Sequence, residues 1–285
     1  MMTATHVTSA TGVLKKVLLS RPDYLTLVPI DKISCDWLEK GITIDREKAL
    51  REHDQLIEIY QRNGVEVEII EPVEELSSMV FARDFGFNLK EGYVLGRFGE
   101  AVRHPESEMY AAKLKELGIP MIARCVEGII EGGDFWQLDD KTLAIGQLKR
   151  SDEIGIENIR KQLAPYGYEI MGVESDPRYL HLDMIFNIVG ERVAVAYWEG
   201  LPKHFPNYLT EHDFDIIRIE EEGVFKHFCN LQALGNKRVI SLKANTDVNR
   251  QLRERGFEVF ELDCSEILKT GGGPHCMTFP LKRGE

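Results

Sequence analysis

The chain repeats one pattern of apolar and polar positions about every fifty residues. In each copy a single polar residue precedes an apolar run that has the alternation and β-branched content of a strand. The residues at this recurring position are Asp84, Asp134, Asp183, Asn230 and Cys276. A period of this length indicates supersecondary units that pack side by side. If the units close into a ring, equivalent positions converge on its axis, and these side chains would meet.

Within one copy, the pattern predicts a strand, a turn, a second strand, a helix and a third strand. The predicted second strands are Tyr93–Arg97, Thr142–Gln147, Arg192–Trp198 and Arg238–Leu242. The predicted helices are Ser107–Leu117, Asp152–Ala164 with Ser151 as N-cap, and Thr246–Arg255 with Asn245 as cap. The predicted third strands are Pro120–Arg124, Tyr168–Val173, Asp215–Ile219 and Phe257–Leu262. Pro202 and Pro206 weaken the helix that is expected after Trp198.

The copy that begins at Cys276 is cut short, and the start of the chain supplies what it lacks. Lys16–Arg21 is typical of a second strand, Asp45–Arg62 of a helix, and Val65–Ile70 of a third strand. One unit would therefore be shared between the two ends of the chain, which closes the ring and removes exposed sheet edges. Because no Pro-, Gly- or Ser-rich linker interrupts the pattern, we expect one α/β domain over residues 1–285.

Composition narrows the classes of function. The net charge of −12 argues against nucleic-acid binding, which needs a basic surface. No apolar run has the length of a membrane span. Residues 1–6 lack the basic and apolar regions of a signal peptide, and the five cysteines show no Cys-x-x-Cys pairing. We therefore expect free thiols and a cytoplasmic location. The sequence leaves the oligomeric state open, a homo-oligomer included.

Two motifs could carry nucleophilic chemistry. Cys276 follows the glycine run 271–273, which allows the backbone to approach a ligand closely. This thiol is therefore a candidate nucleophile. The alternative is a buried structural cysteine after a turn. His181 and Asp183 would face the same side of a strand and suit general acid–base catalysis; a solvated strand face is the alternative.

Carboxylates complete the candidate site. Glu131 and Asp134 flank a Glu-Gly-Gly-Asp turn, and Asp84 precedes a half-buried apolar run. Buried together, these acids need positive partners, so a cationic ligand is expected. A metal site is the rival interpretation, but His-x-x-x-His and Cys-x-x-Cys spacings are absent, and on a strand His275 would point away from Cys276.

In order along the chain, four motifs resemble those of the guanidino-group-modifying enzymes, which include arginine deiminase, dimethylarginine dimethylaminohydrolase and the amidinotransferases. The motifs are Arg83-Asp84, Glu131-Gly132-Gly133-Asp134, His181-Leu182-Asp183 and Gly272-Gly273-Pro274-His275-Cys276-Met277-Thr278. This resemblance implies a five-bladed α/β propeller with pseudo-fivefold symmetry, built from strand-strand-helix-strand units. It implies no metal and no organic cofactor.

The resemblance also implies roles for the motif residues. Cys276 would attack the guanidinium carbon and form a covalent thiouronium-type intermediate. His181 would protonate the departing amine and then activate water, with Glu131 paired to it. Asp84 and Asp183 would hydrogen-bond the guanidinium nitrogens, while Asp134 would have either a structural role or direct contact with the substrate.

Two arginines resemble those that grip the substrate α-carboxylate in the hydrolases. They are Arg103 and Arg150, for which a surface position at a hairpin end is the alternative. Thr270 and Gly271 depart from the arginine deiminases, and Arg83 departs from the acid common in the dimethylarginine hydrolases. The expected activity is therefore hydrolysis of a C–N bond in arginine or a methylated arginine. Amidino transfer to an amine, hydrolysis of a ureido substrate such as citrulline, and a non-catalytic propeller that binds a cationic amino acid remain open.

Overall fold

The computed structural model describes residues 7–284, so the signal-peptide argument on residues 1–6 lies outside the described residues. The strands are β1 Leu14–Ser20, β2 Glu66–Ile70, β3 Gly86–Asn88, β4 Tyr93–Leu95, β5 Met121–Arg124, β6 Phe135–Gln137, β7 Thr142–Gln147, β8 Glu169–Glu174, β9 Phe186–Gly190, β10 Val193–Ala196, β11 Asp215–Arg218, β12 Gln232–Gly235, β13 Arg238–Leu242, β14 Glu258–Leu262 and β15 Phe279–Arg283. The helices are α1 Lys32–Glu39, α2 Arg46–Arg62, α3 His104–Glu116, α4 Glu153–Leu163, α5 His204–Glu211, α6 Glu221–Val224 and α7 Thr246–Glu254.

The strands form five small sheets of three strands each. The sheets have the orders β3-β4-β5, β6-β7-β8, β9-β10-β11, β12-β13-β14 and β15-β1-β2. In every sheet the first strand is antiparallel to the second, and the second is parallel to the third. A parallel pair needs a long crossover, which a helix supplies in each case. The predicted strand-strand-helix-strand unit is therefore confirmed.

The sheet β15-β1-β2 joins the two ends of the described chain. Strand β15 pairs antiparallel with β1, with Leu18 opposite Phe279, and β1 pairs parallel with β2. The prediction that one unit is shared between the ends is therefore confirmed. Within residues 7–284, no helix combines the length and apolar character that a bilayer crossing requires.

Two helix predictions were wrong in detail. Helix α4 is capped by Asp152, whose side chain accepts from the backbone, while the Ser151 hydroxyl donates instead to Asp134 at 2.6 Å. Helix α5 forms despite its two prolines, because Pro202 precedes the helix and Pro206 lies in its first turn. Backbone N–H groups in a first turn have no partner within the helix, so proline costs little there.

The recurring polar residues lie in the turns that precede β3, β6, β9, β12 and β15, and not within the strands. Hydrogen bonds link each of these turns to the turns of two other sheets. The bonds are Gly132 N to Asp84 O (2.9 Å), Leu182 N to Asp134 Oδ1 (2.8 Å), Asn230 Nδ2 to Asp183 Oδ2 (3.1 Å), Asn230 Nδ2 to Cys276 Sγ (2.9 Å) and Arg83 N to Cys276 O (2.9 Å). We call the region where these five turns meet the hub.

Aromatic side chains hold neighbouring first strands together beside the hub. Phe87 of β3 stacks on Phe135 of β6 with ring centroids 3.9 Å apart. Phe85, just before β3, lies 4.4 Å from the ring of Phe279 on β15. All four rings are buried. Such pairs add to the free energy gained by burial and fix the relative positions of the strands that carry the turns.

Helix α2 anchors the segment that leads to Cys276. The carboxylate of Glu52 is buried and accepts hydrogen bonds from the backbone N–H groups of Glu266 (3.0 Å) and Ile267 (3.1 Å). It also accepts from the hydroxyl of Ser265 at 3.1 Å. These bonds fix the start of the chain segment that continues into the glycine run and the last hub turn.

We expect Glu52→Ala to leave those buried N–H groups unpaired and to lower the free energy of unfolding by about 2–3 kcal/mol. Urea unfolding followed by circular dichroism measures the change. Glu47→Ala is the matched control, because Glu47 is on the same helix with its side chain 90% exposed. A loss of the same size in both variants would contradict this assignment.

Candidate active site

Five of the predicted site residues line one small cavity at the hub. They are Asp84, Arg103, Arg150, His181 and Cys276. The cavity has a volume of about 20 Å³, room for a single water molecule. Asp183 and Glu131 are fully buried and bond directly to Cys276 and His181. The structure thus brings thiol, imidazole and carboxylates together from four sheets.

The thiol of Cys276 sits between an amide and a carboxylate. Its Sγ accepts a hydrogen bond from Asn230 Nδ2 at 2.9 Å and donates one to Asp183 Oδ2 at 3.3 Å. Burial, and then the negative charges of Asp183 and Asp84, raise the pKa of Cys276 well above its ordinary value. Without a ligand, this residue is therefore a thiol and not a thiolate.

The glycine run permits close approach at three successive positions. Gly271 has a φ of +88°, a conformation that favours glycine. A Cβ at Gly272 would lie 2.3 Å from Phe81 Cε1, and a Cβ at Gly273 would lie 2.8 Å from Asn230 Oδ1. Both distances are too short for another side chain. The run therefore packs the last hub turn against its neighbours.

Asp183 is the acceptor at the centre of the site. Besides Cys276 and Asn230, its Oδ2 accepts a hydrogen bond from His275 Nδ1 at 2.8 Å. Burial works against the charge of Asp183, but the hydrogen bond from His275 holds the pKa of this carboxyl below its ordinary value. Asp183 is therefore ionised.

His275 and Cys276 line different cavities, but His275 does not lie on a strand, as the sequence analysis assumed. Residues 274–277 form a turn and not a strand, so the alternation of a strand does not apply. The imidazole of His275 stacks on Trp136 with centroids 4.7 Å apart and bonds to the same carboxylate oxygen as the thiol. Burial, and then the charge of Arg83, lower the pKa of His275 to about 4, so this imidazole is neutral.

His181 and Glu131 form a buried ion pair. His181 Nε2 lies 2.9 Å from Glu131 Oε2. Burial opposes the charge of the imidazole, but Asp84, Glu131 and Asp134 outweigh it and raise the pKa of His181 to about 9. Burial also opposes the charge of Glu131, but His181 and Arg150 lower the pKa of Glu131 to about 2. At neutral pH the imidazole is therefore protonated.

His181 and Asp183 do not lie on a strand. His181 precedes a single turn of 3₁₀ helix over Leu182–Met184, so the prediction that strand alternation orients the two side chains was wrong. Both side chains nevertheless reach the site, because the turn directs one towards Glu131 and the other towards Cys276.

Arg103 is buried and bonds to acids, so a surface position is excluded. Its Nη1 donates to Asp84 Oδ2 at 2.6 Å. Its Nε and Nη2 donate to the two carboxylate oxygens of Glu106 at 3.0 and 2.9 Å. Burial raises the pKa of Asp84, and the charge of Arg103 limits that rise.

Arg150 is also buried, so a surface position at a hairpin end is excluded. Its Nη1 donates to Glu131 Oε1 at 3.2 Å, and its Nη2 donates to the backbone oxygen of Ile30 at 2.8 Å. Glu131 Oε1 accepts a further bond from Gly99 N at 2.9 Å. The carboxylate that pairs with His181 is therefore held in position from three directions.

Asp134 uses both carboxylate oxygens within the protein. Oδ1 accepts from Leu182 N at 2.8 Å, and Oδ2 accepts from the hydroxyl of Ser151 at 2.6 Å. Burial raises the pKa of Asp134 to about 7. These contacts match the structural role that the sequence left open, since they tie the turn before β9 to the turn before β6.

Two carboxylate oxygens of the site have no hydrogen-bond partner among residues 7–284. They are Asp84 Oδ1 and Asp183 Oδ1, and both are buried. A buried acceptor without a donor costs free energy, so such atoms mark places where a ligand or water donates. The other oxygen of each carboxylate already has a donor, from Arg103 in one case and from His275 in the other.

The donor atoms of Asp84, Glu131 and His181 lie within 4.8 Å of one another, which would suit a metal ion. The carboxylates, however, already have cationic partners in Arg103 and Arg150, and His181 carries its own proton at neutral pH. A divalent cation would have to displace these charges. The arrangement is that of an acid–base cluster.

A model of the family described as "N,N dimethylarginine dimethylhydrolase, eukaryotic" matches residues 21–283 of the chain. The chain therefore belongs to this family, which places it among the guanidino-group-modifying hydrolases that act on C–N bonds, as its motifs predicted.

The chain is also similar to individual proteins and to solved structures. An uncharacterised Bacillus subtilis protein, YkgA, is 32% identical over 96% of this chain and 94% of its own length. The N(G),N(G)-dimethylarginine dimethylaminohydrolase of Mycobacterium tuberculosis is 29% identical over 86% of this chain and 80% of its own. Among solved structures, the N-terminal domain of ArgZ, a cyanobacterial arginine dihydrolase, superposes with a TM-score of 0.83 at 24% identity, covering 94% of this chain and 98% of that one. At this identity the similarity concerns the fold.

Sequence reasoning missed two contributors to the site. Asn230 stood out in the repeat but received no role, although its amide bonds to Cys276, Asp183 and the backbone of His275. His275 was set aside because the turn was taken for a strand. The proline at position 274, directly after the glycine run, was a signal for that turn.

We expect Glu131→Gln to lower the pKa of His181 from about 9 by about one unit or more, because the paired charge is lost. NMR titration of the imidazole measures the shift. Because the folded-state pKa is raised, the stabilisation is fully present below about pH 6.5 and disappears as the pH rises through about 9. The control is Glu127→Gln, which removes an exposed acid nearby. An unchanged midpoint in Glu131→Gln would refute the pairing.

Proposed function

We propose that this protein hydrolyses a C–N bond of a guanidino amino acid, arginine or an N-methylated arginine, through a covalent intermediate on Cys276. The observation that carries the proposal is the pair of unpartnered oxygens, Asp84 Oδ1 and Asp183 Oδ1, beside a buried thiol. The guanidinium of arginine is a planar cation with hydrogen-bond donors on all three nitrogens, and that of N,N-dimethylarginine keeps donors on two. Either cation would supply donors and positive charge to both carboxylates at once.

The contact between Arg103 and Asp84 supports this mode of recognition. In this contact a guanidinium of the protein lies 2.6 Å from Asp84 Oδ2, and we propose that the same carboxylate binds the substrate guanidinium. The substrate guanidinium would bind the remaining oxygen, or would take the place of Arg103. In the second case Arg103 would be released from Asp84 and become available for the substrate α-carboxylate, together with Arg150.

The reaction would proceed in two displacement steps. The Cys276 thiolate adds to the guanidinium carbon, and the C–N bond to the leaving amine breaks as His181 gives that amine a proton. The product of this step is a thiouronium with sulfur bonded to carbon. Water then adds to the same carbon, and His181 takes one of its protons. The C–S bond breaks as the remaining hydroxyl proton passes to solvent, which releases the neutral ureido product and the thiolate.

Binding of the cation would also create the nucleophile. The pKa of Cys276 is raised while the site is without a ligand, because burial and two carboxylates disfavour a further negative charge. A bound guanidinium neutralises those carboxylates and favours the thiolate. The thiol proton would leave to solvent when the ligand binds, and Asp183 would stay ionised to pair with the cation.

The cavity must enlarge to admit an amino acid, because its volume of about 20 Å³ holds only a water molecule. Four other lining residues contact the arginines of the site or its glycine run. They are Ile30, Asp31, Ser78 and Phe81. Movement of the segment around Ile30 would break the bond to Arg150 Nη2 and free this guanidinium for the substrate carboxylate.

We extend the proposal to the architecture. The cyclic set of hydrogen bonds between the five turns supports a closed five-bladed propeller formed by one domain. Because the five sheets remain separate, closure would rest on these bonds and on side-chain packing between first strands. All five cysteines are free thiols, which is consistent with the predicted cytoplasmic location.

We expect 2-chloroacetamidine to alkylate Cys276 faster at neutral pH than neutral 2-chloroacetamide does. The amidinium would pair with Asp84 and Asp183 and lower the pKa of the thiol, whereas the amide would not. Peptide mass spectrometry identifies the labelled cysteine and gives the rate. Half-exposed Cys35 is the internal control, because its surroundings should give no such preference. Equal rates with the two reagents at Cys276 would contradict recognition of a cation.

We expect Cys276→Ser to abolish turnover, while Cys125→Ser, which changes a buried thiol outside the cavity, should retain it. Product analysis by mass spectrometry across arginine, dimethylarginine, agmatine, guanidinoacetate and citrulline defines the substrate. Citrulline with ammonia selects arginine, and citrulline with dimethylamine selects dimethylarginine. Agmatine lacks the carboxylate and should react more slowly. Product formed only when an acceptor amine is added would replace hydrolysis by amidino transfer.

A further inference from the structure

A second cavity lies on the other side of the 275–276 turn. It has a volume of about 30 Å³ and is lined by His275, whereas Cys276 lines the first cavity. Its wall also includes Arg83, Arg283 and Trp136. Of these residues, the proposed reaction uses none. Arg83 also occupies the motif position at which the dimethylarginine hydrolases often have an acid.

Two buried guanidinium groups face this cavity without a carboxylate partner. Arg83 and Arg283 are 7% and 3% exposed, and neither has an acid within 4.0 Å among residues 7–284. Arg283 donates to the backbone oxygens of Gly12 and Ala233 at 2.9 and 2.7 Å. Arg83 Nε has no acceptor in that part of the chain. The buried arginines of the first cavity, Arg103 and Arg150, both have acids.

The two charges destabilise each other. Burial lowers the pKa of Arg83 to about 10, although the charge of Asp183 opposes this fall. Burial, and then the charge of Arg83, lower the pKa of Arg283 to about 9. An unpaired charge out of water is costly, and a second charge of the same sign raises the cost. Among residues 7–284, no carboxylate is in direct contact with either guanidinium, so the cavity has room for an anion that would pair with both.

Amide side chains around the cavity add acceptors that need donors. Four of them give their N–H groups to backbone oxygens and keep a buried, unpartnered oxygen, namely Asn88, Gln137, Asn187 and Gln232. These amides cannot neutralise the arginines, because they carry no charge.

We propose that this cavity binds one small monovalent anion, chloride, between the guanidinium groups of Arg83 and Arg283. The charges favour an anion, and a volume of about 30 Å³ admits a halide with little else. Phosphate and sulfate with their four oxygens are too large for that space. The site is independent of the proposed reaction and would exist whichever guanidino compound is the substrate.

The anion would stabilise the turn that carries the nucleophile. Arg83 N donates to Cys276 O at 2.9 Å, and Arg83 directly precedes Asp84. Relief of the repulsion between the arginines would therefore hold both the thiol and one substrate carboxylate in place. Chloride would act as a structural ion and would not contact the substrate.

Two measurements test the proposal. Crystals grown in sodium bromide should show an anomalous bromide peak between Arg83 and Arg283. The thermal midpoint should rise by about 2–4 °C when chloride replaces gluconate at constant ionic strength, with chloride about tenfold above its dissociation constant. Sulfate at the same ionic strength should give no such specific rise.

Arg83→Gln should abolish the chloride-dependent rise. Arg238→Gln is the matched control, because Arg238 is partly buried, lies outside this cavity and has no acid partner among residues 7–284. The rise should persist in this variant. If Arg83→Gln fails to fold, the bromide experiment on the unchanged protein still decides. Bromide peaks only on the surface, or equal midpoints in chloride and gluconate, would overturn the proposal and leave a cavity filled by water alone.

Discussion

Burial of carboxylates at a single point is the constraint on which the hub depends. Asp84, Glu131 and Asp183 are all withdrawn from water, which is unfavourable unless each charge is compensated. Arg103 pairs with the first, and His181 and Arg150 with the second. The third has only neutral donors. Its deficit of positive charge lies next to the thiol, where a cationic ligand would supply the missing charge.

The same balance explains why the two cavities differ. On the side that Cys276 faces, Asp183 has no cationic hydrogen-bond partner among residues 7–284. On the side that His275 faces, Arg83 and Arg283 have no acid within 4.0 Å in that part of the chain. A single turn separates a site suited to a cation from a site suited to an anion. Neutral His275 bonds to Asp183 on one side and lines the arginine cavity on the other, so it connects the two. The repeat makes this possible, since it brings one turn from each sheet to the hub.

Much of the fold could be predicted because it follows from local periodicity. Strand alternation, helix stops such as Gly256 and the fifty-residue period gave the unit and the sheet shared between the ends. Errors arose where conformation depends on contacts distant in sequence. Ser151 has the chemistry of a cap but bonds to Asp134, and the turn at His275 is set by packing against Asn230 and Trp136. The pairings of Arg103 with Asp84 and of Arg150 with Glu131 could not be predicted either, since nothing in the spacing shows which distant carboxylate a buried arginine will meet.

The central claim is that a guanidinium completes the charge balance around Cys276. The most direct measurement is a crystal structure of Cys276→Ser with N,N-dimethylarginine. The account predicts the guanidinium carbon about 3–3.5 Å from the introduced hydroxyl, with ligand nitrogens bonded to Asp84 Oδ1 and Asp183 Oδ1. A ligand whose guanidinium lies away from both carboxylates, with those two oxygens still bonded to nothing but water, would contradict it.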